Sequence, residues 1–178
     1  MARKHTHQRR HRQTSKTALL IVGEGPDDQA FVKHMHQQFR TDYADIKPTI
    51  EKQSGGSPGN IITNATRKYG HLAFDQRFLV LDADVPPTQQ DRDKAIKHDY
   101  KIILWSPTCL EGALLDVLGE GVNDHETAQQ LKSRLHPRLA GTHTQSAAYA
   151  VLFPRAVLQA SENISVNTVR NALAGQLT

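Results

Sequence analysis

The segment Phe78–Val85, FLVLDADV, constrains the fold of this chain more than any other stretch. An apolar run leading into Asp82-Ala83-Asp84, closed off by Pro86-Pro87, reads as a buried strand that ends in two carboxylates. An apolar run without alternation, bounded by turn formers, suits a strand of a parallel sheet covered on both faces. Side chains alternate along a strand, so Asp82 and Asp84 are expected to point to the same side. At the carboxyl edge of an open α/β sheet, that side is where ligands bind. Two acids held so close repel each other unless a proton or a cation lies between them. Hard cations such as Mg²⁺ take oxygen ligands of this kind. A solvated turn in which one acid caps the next helix would account for the same tripeptide.

Thr17–Val22 (TALLIV) is a second apolar run and reads as the first strand, ending in Gly23-Glu24-Gly25-Pro26-Asp27-Asp28. The glycines permit a tight strand-to-helix turn, and Pro26 suits the first helical position. Phe31, Val32, Met35 and Phe39 then recur at helical spacing. Glu24 falls at the carboxyl end of the strand. Asp28, in the first helical turn, leans back toward the space above it. Asp27 reads as a charge favourable to the helix dipole; for Glu24, flanked by glycines after a buried strand, capping explains less.

Asp45–Glu51 reads as a strand near a sheet edge, because Pro48 removes a ladder donor. The loop Ser54-Gly55-Gly56-Ser57-Pro58-Gly59 precedes a helix from about Asn60. Such a loop can cradle a phosphate on free amides, but it lacks the lysine and spacing of a P-loop, and a plain linker explains it as well. Gln89–His98 reads as a polar helix and Lys101–Trp105 as a fourth strand. The exit Ser106-Pro107-Thr108-Cys109-Leu110-Glu111 opens a further helix with an apolar face. Thr108 and Glu111 have the spacing of a capping box, and Glu111 is also a candidate acid at the mouth of the sheet.

Past Gly121 the pattern weakens. A helix is expected over Asn123–Leu135, a loop over Pro137–His143, a helical segment over Ser146–Leu158 interrupted by Pro154, and a closing helix over Ser165–Leu177. His125, His136 and His143 lack ligand spacing and read as surface or core histidines. The order of elements predicts an α/β fold, Rossmann-like, with a mostly parallel central sheet flanked by helices. Three regions are expected: a basic arm over 1–16, a core over 17–120 and a helical C-terminal extension over 121–178.

Charge separates the arm from the rest. The net charge is +4, yet Arg3, Lys4, Arg9, Arg10, Arg12 and Lys16 fall in a stretch with no acid. The remaining 16 basic residues face 18 acids, so the whole basic excess lies in the arm. An arm of this kind either solvates the chain or grips nucleic-acid phosphates without reading sequence. His5, His7 and His11 in the same stretch have the spacing of a metal tract, but so polar a segment argues against one. At 178 residues there is room for one domain with a proper core. The single Cys109 excludes an internal disulfide and suits a reducing compartment. Neither a membrane-spanning run nor the apolar region of a signal peptide is visible. The expectation is a cytoplasmic protein with no membrane partner.

A Glu after the first strand and an Asp-x-Asp after a later one, in an alternating β/α chain, resemble the TOPRIM domains of topoisomerases, primases, ribosomal-RNA maturases and OLD-type nucleases. LLIVGEGPDD matches that family's first motif and places Glu24 and Asp28. FLVLDADV matches its second and places Asp82 and Asp84. SGGSPGN before a helix, and Ser106, Pro107 and Glu111 after the fourth strand, make the chain most similar to the RloB-like branch, compact TOPRIM proteins associated with bacterial defence loci. The resemblance spans about Thr17 to Leu118. Cys109-Leu110-Glu111-Gly112 keeps the branch's acid without the aromatic residues expected around it. The resemblance implies a divalent-metal-dependent nuclease, with Glu24, Asp28, Asp82 and Asp84 holding Mg²⁺ or Mn²⁺. Glu24, Asp82, Asp84 and Glu111 would be the catalytic acids, nucleic acid (DNA or RNA) the substrate, and a protein of a defence system a partner. Two alternatives fit the residues. One is a metal-free module that binds nucleic acid or a partner. The other is a haloacid-dehalogenase-type phosphatase with Asp82 as nucleophile, which would need Asn123-Asp124 as its downstream partner.

Overall fold

A computed structural model of the chain describes residues 16–177. Its centre is a parallel sheet of β1 (Thr17–Gly23), β2 (Ile46–Lys52), β3 (Gln76–Asp82) and β4 (Tyr100–Trp105), in the order β2-β1-β3-β4. Helices cover both faces, so the fold is α/β and Rossmann-like, as expected. β2 lies at the edge, where Pro48 needs no partner on its outer side.

The apolar runs are continuous because both faces are buried. Leu19, Ile21, Phe78, Val80, Ile103 and Trp105 face one core, whereas Leu20, Val22, Leu79 and Leu81 face the other. The second core is closed by α2 (Pro58–Tyr69) and α3 (Gln89–Lys97), through Ile61, Ile62, Ala65, Tyr69 and Ala95. The first is closed by α1 (Pro26–Phe39), α4 (Leu110–Val117), α5 (Ala128–Leu135), α6 (Arg155–Ala160) and α7 (Ile164–Leu173). Leu131, Leu135, Leu158, Val166, Val169 and Leu173 share one cluster with Phe31, Val80 and Trp105. The segment after residue 120 therefore packs directly on the sheet's first face.

Local chemistry sets several boundaries. Asn123 and Glu126 close a turn, and Thr127 forms a capping box with Gln130, so α5 starts at Ala128 and not at Asn123. Pro154 interrupts the segment over Ser146–Leu158 as expected, leaving a 3-10 turn, Ser146–Tyr149, and α6. The expected capping box of Thr108 and Glu111 does not form. The N-cap of α4 is Cys109, Thr108 has a positive φ of 63°, and the Glu111 carboxylate turns elsewhere. Among the described residues no helix is long and apolar enough to cross a membrane.

Candidate active site

Parallel strands deliver their carboxyl ends to one edge, and there the chain opens a cavity of about 230 Å³. Glu24 is the first residue after β1, and Asp82 is the last residue of β3, the neighbouring strand. The Glu24 amide donates to the Val80 carbonyl at 3.0 Å, and the Asp82 amide donates to Glu24 Oε2 at 3.2 Å. Glu24 is thus laid across the gap between the strands. Asp82 Oδ1 accepts from the Leu110 amide at the start of α4, at 3.1 Å. Among the described residues, Glu24 Oε1 and Asp82 Oδ2 have no hydrogen-bond partner.

Asp28 lies deeper, only 6% exposed. Its Oδ1 accepts from Trp105 Nε1 and its Oδ2 from the Gly25 amide, both at 2.7 Å. The helix comes close enough because residue 23 is glycine: a Cβ there would sit 2.5 Å from Asp28 Cβ. Glu111, 2% exposed, faces the same cavity from α4. Its Oε1 accepts from His136 Nε2 at 2.9 Å, and its Oε2 accepts from Cys109 Sγ at 3.3 Å. Gly112 beside it is obligatory, since a Cβ would fall 2.1 Å from the Pro107 carbonyl oxygen.

The charges are poorly balanced. Burial, and then repulsion from Asp28, Glu24 and Glu111, push the Asp82 carboxyl up to about 8. Burial pushes Asp28 up to about 7 against the Gly25 and Trp105 hydrogen bonds, with Glu24 and Glu111 adding to the rise. Glu24 is raised as well, by burial and by the charge of Asp84, with the Asp82 amide and Lys132 opposing. These acids interact, so their protons belong to the group. Lys132 of α5 is the cation lining the cavity among the described residues. Burial works against its charge, but Glu111, Asp27 and Asp82 hold its pKa above the ordinary value. The thiol of Cys109 is raised by burial and by Glu111, which makes it an inert neighbour.

Asp84 does not continue the strand. β3 ends at Asp82, and the Ala83 and Asp84 amides both donate to the Thr108 carbonyl, at 2.9 and 2.8 Å. That clamp bends the chain, so the expected alternation fails and Asp84 is exposed outside the cavity lining, although its charge still reaches Glu24. The Gly/Ser loop contributes Ser54 and Gly55 to the cavity wall, but the Gly55 amide is spent on the Glu24 carbonyl at 3.0 Å and is not free for a phosphate.

Residues that sequence did not mark complete the rim. Asp27, read as a helix-dipole charge, accepts from His143: its Oδ1 lies 2.6 Å from His143 Nδ1. Its Oδ2 lies 4.0 Å from His136 Nε2. The two imidazoles stack, with centroids 4.2 Å apart and planes 9° apart. Among the described residues, Asp27, His136 and His143 are the group whose ligand atoms all lie within 4.8 Å of one another; the acids Glu24, Asp28, Asp82 and Asp84 do not close to that spacing. Of the basic arm, Lys16 is described and exposed, whereas Arg3, Lys4, Arg9, Arg10 and Arg12, with His5, His7 and His11, lie outside the described residues. No family of known proteins, no curated protein and no solved structure matches this chain.

Proposed function

We propose that the chain is a divalent-metal-dependent nuclease that hydrolyses phosphodiester bonds of DNA or RNA at the Glu24–Asp82 cavity, as the TOPRIM resemblance implies. One observation carries the reading. Glu24 and Asp82, from adjacent parallel strands, each present an unpartnered carboxylate oxygen in a cavity where Lys132 is the balancing cation among the described residues. Repulsion among acids is relieved by a proton or by a hard cation. Glu24 and Asp82 would hold Mg²⁺ or Mn²⁺, with Asp28 behind them, since each Asp28 oxygen is already engaged by an N–H donor. Such an ion, when bound, acidifies a water and stabilises charge on a phosphoryl oxygen.

The chain's own groups supply the rest. Trp105 and the Gly25 amide hold Asp28 in place behind Glu24. Lys132, which lines the cavity, offers a positive charge for a phosphate oxygen. Glu24, as a ligand of that ion, would orient the attacking water. The basic arm, carrying the chain's whole positive excess, would hold the nucleic-acid backbone.

The phosphatase alternative finds less support. Asp82 ends the third strand in chain order, and Asn123-Asp124 follow helix α4, not a strand. The test is hydrolysis of single- and double-stranded DNA and RNA, with a small phosphomonoester alongside, in Mg²⁺ or Mn²⁺. Glu24→Gln is expected to abolish phosphodiester cleavage while leaving the fold intact. Monoesterase activity that survives Glu24→Gln would establish the phosphatase instead, and a wild-type chain that binds nucleic acid but cleaves nothing would favour the binding module.

A further inference from the structure

We propose that Asp27, His136 and His143 form a binding site for a divalent ion of the Zn²⁺ class at the rim of the acid cavity, separate from Glu24 and Asp82. One ligand atom from each residue lies within 4.8 Å of the others. The three come from distant parts of the chain: the first turn of α1, the 3-10 turn His136–Arg138 and the loop ahead of the Ser146–Tyr149 turn. Local patterning such as a helix periodicity does not bring such residues together, so their meeting is a product of the tertiary fold.

The donor set selects the metal. Two imidazoles and one carboxylate suit Zn²⁺ and its neighbours, whereas all-oxygen sets suit Mg²⁺. Asp27 supplies one negative charge; an ion at His136 Nε2 would displace the proton that this nitrogen shares with Glu111 Oε1, 2.9 Å away, leaving that carboxylate as a second negative charge beside the ion. Two of the ligands are anchored from behind. Asp27 is fixed in a helix, and the His143 carbonyl accepts from the Tyr149 hydroxyl at 2.8 Å.

The parallel stack of the two rings sets what must move. The ring-nitrogen lone pairs lie in the ring planes and run alongside each other, so closing on one ion requires a ring to turn. His143, with a side chain 40% exposed, has room to turn, while His136 is more enclosed. Ligand atoms about 2.0–2.1 Å from a tetrahedral Zn²⁺ lie roughly 3.3–3.5 Å apart, so separations of up to 4.8 Å shorten by at most about 1.5 Å. Three protein ligands leave a coordination position for water or substrate. Asp27 also lines the acid cavity, so that position opens beside it.

The test uses the full chain carrying His5→Ala, His7→Ala and His11→Ala, so that those histidines do not contribute. Titration calorimetry with Zn²⁺ is expected to show one tight site per chain. His136→Gln and His143→Gln are each expected to weaken it at least about 100-fold, beyond the 10–100-fold typical of losing an orienting partner. His125→Gln, exposed on another loop, and Glu24→Gln are expected to leave it unchanged. X-ray absorption at the zinc edge reads imidazole coordination without any of the three rim residues being substituted, and is expected to show two such ligands. Failure to bind Zn²⁺, tight binding that survives both histidine substitutions, or loss of binding in Glu24→Gln alone would each overturn the proposal. Because Glu24→Gln is expected to remove cleavage and keep Zn²⁺, failure of the nuclease reading and failure of this site are distinguishable.

Discussion

Asp82→Asn is expected to make the metal-free protein more stable, by an amount that grows as pH rises from about 4 to about 8. Asp82 faces Asp28, Glu24 and Glu111 across a partly buried cavity, and its pKa rises from an ordinary 3.8 to about 8. Its folded pKa therefore lies above its unfolded one. The stability linked to its proton is fully present below about pH 4 and is lost as pH rises through about 8. A rise of about 4 units corresponds to roughly 5–6 kcal/mol, an upper bound because the neighbouring acids share the same repulsion. Discharging one member should recover about 2 kcal/mol at pH 9, or a melting shift of about 4–8 °C for a chain of this size. The asparagine Oδ1 still accepts the Leu110 amide, so the α4 contact survives. Only near or below about pH 4, where Asp82 holds its proton in both states, should the gain vanish, and at pH 5 it should be much smaller than at pH 9. The assay is urea denaturation at pH 5 and pH 9 in EDTA, then again with Mg²⁺. Wild type should regain about 2.7 kcal/mol at 100 times the dissociation constant for Mg²⁺, and the variant much less. A variant less stable than wild type at pH 9, or equally stabilised at both pH values, would refute the charge argument.

Two further outcomes are expected. Trp105→Phe removes the Nε1–H that donates to the buried Asp28 Oδ1 and shrinks a fully buried ring, and should cost at least about 1–3 kcal/mol at neutral pH by urea denaturation. Replacing Arg3, Lys4, Arg9, Arg10, Arg12 and Lys16 by Ala should weaken nucleic-acid binding and flatten its salt dependence. For duplex DNA the loss amounts to a slope of up to about −5 in log affinity against log salt, measured by fluorescence anisotropy; an unchanged slope would make the arm a solvating tail.

The parts of this architecture that were legible in the sequence are those whose signal is local. Thr17–Val22, Phe78–Leu81 and Lys101–Trp105 read as parallel strands because both their faces are buried, and their ends located Glu24 and Asp82 at one edge. The position of Asp84 was not legible, because β3 is ended by the Thr108 carbonyl, which comes from the following β/α loop and itself depends on a residue with positive φ. The same loop shifts the N-cap to Cys109, so a sequence spacing that resembles a capping box instead leaves Glu111 free to meet His136. His136 and His143 carried no readable ligand spacing. Their carboxylate partners are Glu111 and Asp27, and the His143–Asp27 contact spans 116 positions of the chain.

The segment after residue 120, expected as a helical extension, has too weak an apolar pattern to show what it packs on. Its leucines and valines join the core with Phe31, Val80 and Trp105. That packing brings Lys132, His136 and His143 to the cavity rim. The acids come from the first 111 residues, whereas the lysine that offsets them and both rim histidines come from the last part of the chain. Charge balance at the strand ends is therefore set by how the C-terminal helices seat on the sheet. A change that loosens α5 should disturb the protonation of Asp82 and Glu24 without touching either, because Lys132 would no longer oppose their mutual repulsion.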